Sequence, residues 1–390
     1  MSQLRDLVVL ELASVLAGPG VGQFFAELGA RVIKVENLKT SGDVTRTWKS
    51  RNEKTDEVSA YFSSVNWGKQ SIAIDLTTAQ GQRIVHQLAA LSDIVIGSYK
   101  PGDAEKLGVD YRTLSKDHRE LIYGQITGYG SNNQRVGYDA IIQAEAGFMY
   151  MNGEPGGRSL KMPVALMDIL AGHQLKEGLL LAMLDKSATG KGKLVEVSLI
   201  QAAVASLANQ ATNYLVGGQL PGKQGSAHPN IAPYGDVFLT ADEKEILLAV
   251  GTDKQFLQLS NILKINDVHD PLFKDNPSRV RNRDLLHTIL SKAIRGFSSE
   301  NLLAKLKEEK IPAGLVRDIS EVVRDPDINE IMINHGRFRG IRNFVAQGLS
   351  ISPHLLPPPH LGEHSREILE EMLKFSPSEV RSLFLERIVR

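Results

Sequence analysis

The chain contains no cysteine. Disulfides, thiolate nucleophiles and cysteine-ligated metal or iron–sulfur centres are therefore excluded, and a reducing cytoplasm is the expected location. It also has no charge of one sign to spare: 45 Lys and Arg balance 45 Asp and Glu. No basic field is left for nucleic acid or an anionic membrane surface. No apolar run approaches the length of a membrane span. The opening MSQLRDLVVLELASVLAGPG has its apolar stretch broken by Glu11, so it reads as a strand and not as a signal peptide. Tandem repeats and low-complexity tracts are missing. So is a Gly-x-Ser-x-Gly elbow, which leaves a serine hydrolase without a visible nucleophile. Gly190-Lys191 lacks the upstream Gly and the following Ser or Thr of a phosphate loop, so it reads as a turn.

What is present is a chain of 390 residues, 42% hydrophobic, long enough for two domains with a sizeable core. Residues 7–12 read as a buried strand, 17–20 as a Gly turn, 21–28 as a helix closed by Gly29, and 31–36 as a strand ending in Glu36. That is the outline of a dinucleotide-binding unit. Gly18 and Gly20 fit the first two fingerprint positions, but Gln23 stands at the third. An NAD-dependent oxidoreductase and a close-packed α/β turn both stay open at this point. A polar, irregular stretch over 38–66 carries Trp48, Tyr61 and Phe62. Strands at 71–75, 93–97 and 121–126, with a helix at 79–91, continue the alternation. The pattern is α/β, a parallel sheet covered by helices on both faces. A Gly/Asn-rich loop at 127–137 and a helix over 138–149 follow, with a later strand at 194–199 and a helix at 201–215. Residues 216–233, rich in Gly and Pro, predict a linker between a large domain (1–215) and a smaller one (234–330) that opens on a hairpin over 234–250. Four prolines make 350–364 extended, and 366–390 closes the chain as a helical region.

The stretch at 161–184, KMPVALMDILAGHQLKEGLLLAML, reads as a short strand at 162–167, then Asp168, then an apolar-periodic helix. Asp168 falls at the corner, where a short acid caps a helix and the helix dipole favours its ionised form. Gly172, one turn in, lets a backbone or ligand come close. Asp168 is thus a plain N-cap or a functional carboxylate. His173 and Glu177 lie four apart, but no third ligand is apparent, so no metal is expected. His354, His360 and His364 suit an exposed tail.

Nine stretches then fall into one pattern. They are LAGPGVGQFFAELGARVIKVE (16–36), SGDVTRTW (41–48), SIAIDLTTAQG (71–81), KPGDAEKLGV (100–109), GYDAIIQAEAG (137–147), ALMDILAG (165–172), TGKGKLVEVSL (189–199), HPNIAPY (228–234) and PHLGEHSREIL (359–369). In this order the chain resembles the family III CoA-transferases, which include formyl-CoA transferase, carnitine CoA-transferase and α-methylacyl-CoA racemase. The resemblance implies a Rossmann-like large domain, a smaller α+β domain, a C-terminal segment (331–390) returning to the large domain, and a homodimer of two interlocked rings. It implies that Asp168 is the nucleophile, that CoA passes from an acyl-CoA to a small carboxylic acid through an aspartyl-CoA thioester, and that CoA is a co-substrate with no metal or redox cofactor. By the same resemblance Val15, Leu16 and Ala17 lie beside the thioester. Ile74 lines the adenine region, and Lys106 and Leu107 hold the nucleotide end. Arg135 faces a carboxylate, a phosphate or solvent. Trp48, Tyr61 and Tyr138 line the acyl pocket. The pattern departs at Asn37, where the family often has Arg and Lys39 stands as a substitute, and at Thr77, where Lys is common. The Gly-rich loop of formyl-CoA transferase is missing from 223–236, which points away from oxalate and toward a larger dicarboxylic acid, such as succinate or an itaconate-like acid, or a carnitine-type acid. A racemase needs a base where this chain has Tyr138, and Tyr, with a reference pKa of about 10, is a poor one.

Overall fold

The computed structural model describes residues 4–56, 58–265, 270–336, 338–346, 348–349 and 354–390. Six apolar runs form strands: β1 (Val8–Leu12), β2 (Arg31–Asn37), β3 (Lys69–Ile74), β4 (Ile94–Gly97), β5 (Ile122–Thr127) and β6 (Leu194–Ser198). They pair in parallel in the order β3-β2-β1-β4-β5-β6, the doubly wound arrangement. The order reverses between β1 and β4, so the loops leaving their C-terminal ends part and open a crevice there.

Helix α1 (Ala17–Glu27) starts inside the stretch expected to be a turn. Pro19 is tolerated because the first four helix N–H groups have no intrahelical partner. The helix is buried along nearly its whole length. Gly22 permits this, since a Cβ there would stand 1.8 Å from the Glu11 carboxylate.

Beneath α1 lies a fully buried charge network. Lys34 Nζ pairs with Glu11 and with Asp43, each at 2.9 Å, and Lys69 Nζ pairs with Glu11 at 2.7 Å. Lys69 also donates to the Pro19 carbonyl (2.8 Å) and to Asn66 (2.9 Å). Arg46 grips Glu36 with two bonds of 2.8 and 2.7 Å, and Ser71 donates to Glu36 at 2.6 Å. Burial alone would lower both lysines. Glu11, Asp43 and Glu36 outweigh it at Lys34, whose pKa is raised, whereas Lys69 is brought down to about 8.

The chain clusters into two units. One comprises the chain up to Ala146, Met162–Ala208 and Glu330–Arg390; the other comprises Gly147–Lys161 and Asn209–Asn329. The helix expected over 201–215 is two, Leu199–Ala205 and Ala208–Leu215, and Ala208 is left-handed at φ 47°. The one expected over 138–149 is likewise two, Asp139–Glu145 and Phe148–Met151, with Gly147 at φ 87° between them.

In the first unit the tail seals an edge. Asp75 N–H donates to Ile388 O, Arg390 N–H to Ala73 O, and Ile74 bridges Val389, so β3 is not left open. Residues 350–353 of the segment expected to be extended lie outside the described residues, and 354–360 form no helix or strand. The closing region holds Ser365–Glu367, a π-helical turn at Ile368–Met372 and a helix at Pro377–Leu385.

The second unit contains the expected hairpin, β7 (Tyr234–Leu239) and β8 (Glu245–Ala249), joined by β9 (Ala313–Leu315) in an antiparallel sheet. Helices pack on it over a core that includes Phe238, Ile246, Leu248, Phe256 and Leu290.

Candidate active site

Residues 162–165 form no strand, and the helix runs Leu166–Thr189. Pro163 explains the difference, since it lacks the N–H that a ladder needs. Asp168 is therefore the third helical residue and not the cap. The N-cap is Ala165, which offers no side-chain bond. The capping carboxylate comes from elsewhere: Asp139 Oδ1 accepts Met167 N–H at 2.8 Å, while its Oδ2 takes Gln143 Nε2 at 2.7 Å.

Asp168 is 8% exposed. Its carboxyl is pushed up to about 7, first by burial and then by the charge of Asp139. The helix dipole was expected to favour the ionised form, but burial and the Asp139 charge outweigh it here. The sign makes a prediction. If Asp168 is the nucleophile that the resemblance implies, only its carboxylate form attacks, and kcat/KM for acyl-CoA is expected to rise with pH and level off above about 7. Asp139→Asn keeps an oxygen for Met167 N–H but removes the neighbouring charge, so the limb should move to lower pH. An unmoved limb in a pH–rate series refutes this coupling.

A cleft of about 230 Å³ opens at Asp168. Its walls are residues 14–18 after β1, 98–101 after β4, 126–128 at the end of β5, and 135–138. It lies at the C-terminal ends of the strands where their order reverses, the usual ligand position in such sheets. Val15 takes φ 73°, an outlier for a β-branched residue. Asp43 holds it there, accepting Val15 N–H at 3.2 and 3.3 Å while pairing with Lys34. The buried charge network thus ends on a loop that lines the same cleft as Asp168. Across the cleft, Gly128 and Gly137 touch backbone to backbone. A Cβ on Gly137 would lie 2.6 Å from Gly128 Cα, so Gly137→Ala should displace Tyr138 and lower turnover without unfolding the chain, checked by kinetics beside circular dichroism.

Of the residues singled out from sequence, Val15, Leu16, Ala17, Arg135, Tyr138 and Asp168 line this cleft. Arg135 is paired with Glu145 and lies 4.1 Å over the Tyr129 ring. Ile74 is wholly buried in the core, Leu107 packs on that core, and Lys106 is exposed and paired with Asp103 at 2.9 Å; none of the three lines the cleft. Trp48 and Tyr61 meet edge to face at 5.2 Å outside it. Burial, then the charges of Asp168, Asp139 and Asp43, raise the Tyr61 hydroxyl, so Tyr61 lies within the field of these acids. Lys39 donates to Thr77 at 2.6 Å and pairs with Asp75 at 3.1 Å, which brings together the positions where the chain departs from the family pattern.

Sequence reasoning missed Asp139, Asp43 and Lys100. Lys100 is an exposed cation on the cleft wall, and the rule that ligands gather past β4 at the strand-order reversal was the signal for it. Glu36, which a dinucleotide enzyme would turn toward a ribose, is instead buried and locked by Arg46 and Ser71.

The model of CoA-transferase family III matches residues 4–365. The chain is 36% identical to the succinate–glutarate CoA-transferase of Agrobacterium fabrum over 95% of both chains. It is 32% identical to the succinyl-CoA:glutarate CoA-transferase of Mus musculus over 100% of this chain and 91% of the relative. Its fold matches a solved CAIB/BAIF family protein from Brucella suis with a TM-score of 0.85 and 36% identity, covering 95% of this chain and 99% of that one. The chain belongs to CoA-transferase family III. It is an enzyme that transfers CoA from an acyl-CoA to a carboxylic acid, with the CoA thioester as co-substrate. Among the described residues no helix is long and apolar enough to cross a membrane.

Proposed function

We propose that Asp168 carries the transferred CoA as an aspartyl thioester. One observation supports this most: the Asp168 carboxylate is buried, has no hydrogen-bond partner among the described residues, and faces open cleft. An ionised Asp168 oxygen attacks the thioester carbonyl, the C–S bond breaks, and an acyl–aspartyl anhydride and CoA thiolate form. The thiolate attacks the aspartyl carbonyl, and the donor acid leaves with one aspartyl oxygen. The acceptor carboxylate then attacks the aspartyl thioester, and the same two steps in reverse give the new acyl-CoA and free Asp168. No net proton, metal or redox cofactor takes part. Lys100 and Arg135 supply cations on the CoA side of the cleft.

Donor and acceptor are proposed to be dicarboxylic acids of the succinate and glutarate kind, on the names of the two relatives above. A cytoplasmic homodimer belongs to the same proposal. Leu180, Leu181 and Leu184 on the helix that carries Asp168 are exposed and offer an apolar face for a second copy. The test is mass spectrometry after incubation with succinyl-CoA and trapping with hydroxylamine or borohydride. Modification confined to Asp168 is expected. Turnover with no trapped adduct at Asp168 would refute the covalent route.

A further inference from the structure

We propose that Lys176 is the specificity-determining residue that binds the far carboxylate of a dicarboxylic acyl group. The inference rests on Asp168 being the nucleophile. A second cleft, of about 310 Å³, shares Leu16, Ala17 and Asp168 with the first and continues past Gly172 to Lys176 and Asn343. Asp168, Gly172 and Lys176 follow one another at four-residue spacing, so they form one stripe of one helix. The rise between the nucleophile and the lysine is about 12 Å over eight residues. Helical side chains lean toward the N-terminus, which carries the ammonium back toward the carboxylate. The remaining gap suits a short diacid with one end bonded to Asp168 and the other ion-paired to Lys176.

The electrostatics point the same way. Lys176 is partly buried, with its ammonium 5.3 Å from the Phe24 ring centre and no ion pair among the described residues. The acid it feels most, Glu27, is already engaged by Gln23 Nε2 at 2.9 Å and by the N–H groups of Asn343 (2.8 Å) and Phe344 (3.0 Å). The Asn343 side-chain amide also has no hydrogen-bond partner among the described residues, so a second donor stands on the same wall. Asp168 is the only acid lining this cleft among the described residues. A partly desolvated cation with no partner is unfavourable, and an anionic substrate end removes that penalty. A monoacid of equal length leaves Lys176 unpaired and is discriminated against.

The experiment compares glutarate with pentanoate as acceptors, with succinyl-CoA as donor, in the wild type, Lys176→Met and Lys176→Arg. The glutarate-to-pentanoate ratio of kcat/KM should fall about 30-fold in Lys176→Met, mainly through KM for glutarate, and Lys176→Arg should restore much of it. Asp168 trapping is run on the same samples. An adduct in the wild type with an unchanged ratio in Lys176→Met overturns the lysine assignment alone. A wild type that prefers pentanoate, or that transfers to neither acid while still forming the adduct, also overturns it. Turnover without the adduct overturns the reading on which it rests.

Discussion

Asp168→Asn is expected to lower CoA transfer by at least about 10³-fold, because an amide cannot form the anhydride and nothing else in the cleft replaces it. The same change should make the protein more stable at high pH. The folded-state pKa of Asp168 is raised to about 7, so its stabilising contribution is full below the unfolded value near 3.8 and is lost as pH rises through 7. Above that, the wild type holds a buried carboxylate that Asn replaces with a neutral group of the same shape. The variant should therefore melt above the wild type at pH 8 by a margin on the order of 2–4 kcal/mol, shrinking toward pH 4. Thermal melts at the two pH values decide it. An equal margin at both would show that the carboxylate is not strained by burial, and residual turnover near wild-type level would place the chemistry elsewhere.

The second large effect is structural. Among the described residues, Glu11→Leu removes the one carboxylate paired with Lys69 and one of two paired with Lys34. Breaking a buried ion pair from one side costs about 3–5 kcal/mol, since it strands the other charge. Lys69 has an escape. Its pKa is already down to about 8, so in the variant it sheds its proton more readily. The loss should therefore be greatest near pH 6 and partly recovered toward pH 9, and Glu11→Leu/Lys69→Met should regain much of it. A melting deficit that ignores pH, with no recovery in the double variant, would show that packing under α1 and not charge dominates there. Kinetics on Glu11→Leu carry a further expectation, because the network reaches Val15 through Lys34 and Asp43. KM for acyl-CoA should rise as that loop loosens.

The sheet was legible in the sequence because its strands are short apolar runs set apart by polar or glycine-containing joints, a signal that depends on local residues alone. Six of the expected strands fall within a residue or two of β1–β6. The hairpin at Tyr234–Ala249 was legible for the same reason. The strand expected at 162–167 was not there, because an apolar run of that length fits a strand or a helix start equally well and Pro163 decides the matter. Helix α1 was shortened in the reading because Gly18, Pro19 and Gly20 look like a turn when the sheet beneath them is unseen. At the site, Asp168 was singled out through the resemblance, whereas the cap position that its surroundings suggested is held by Ala165. The residues set beside it come from three places: Asp139 from the helix Asp139–Glu145, Asp43 from the loop after β2, and Lys176 from the same helix two turns on. Asp43 and Asp139 stand inside stretches that carry the resemblance, and Lys176 falls at helical spacing from Asp168, but the part each plays toward Asp168 comes from what the fold sets beside it.

The bond from Met167 N–H to Asp139 has a further consequence. It fastens the start of the helix that carries Asp168 to the residue that follows Tyr138, itself part of the cleft wall. Whatever presses on that wall therefore bears on Asp139, whose charge helps to raise the Asp168 carboxyl. A ligand seated against the wall acts on the carboxyl through its neighbour's charge and without touching it.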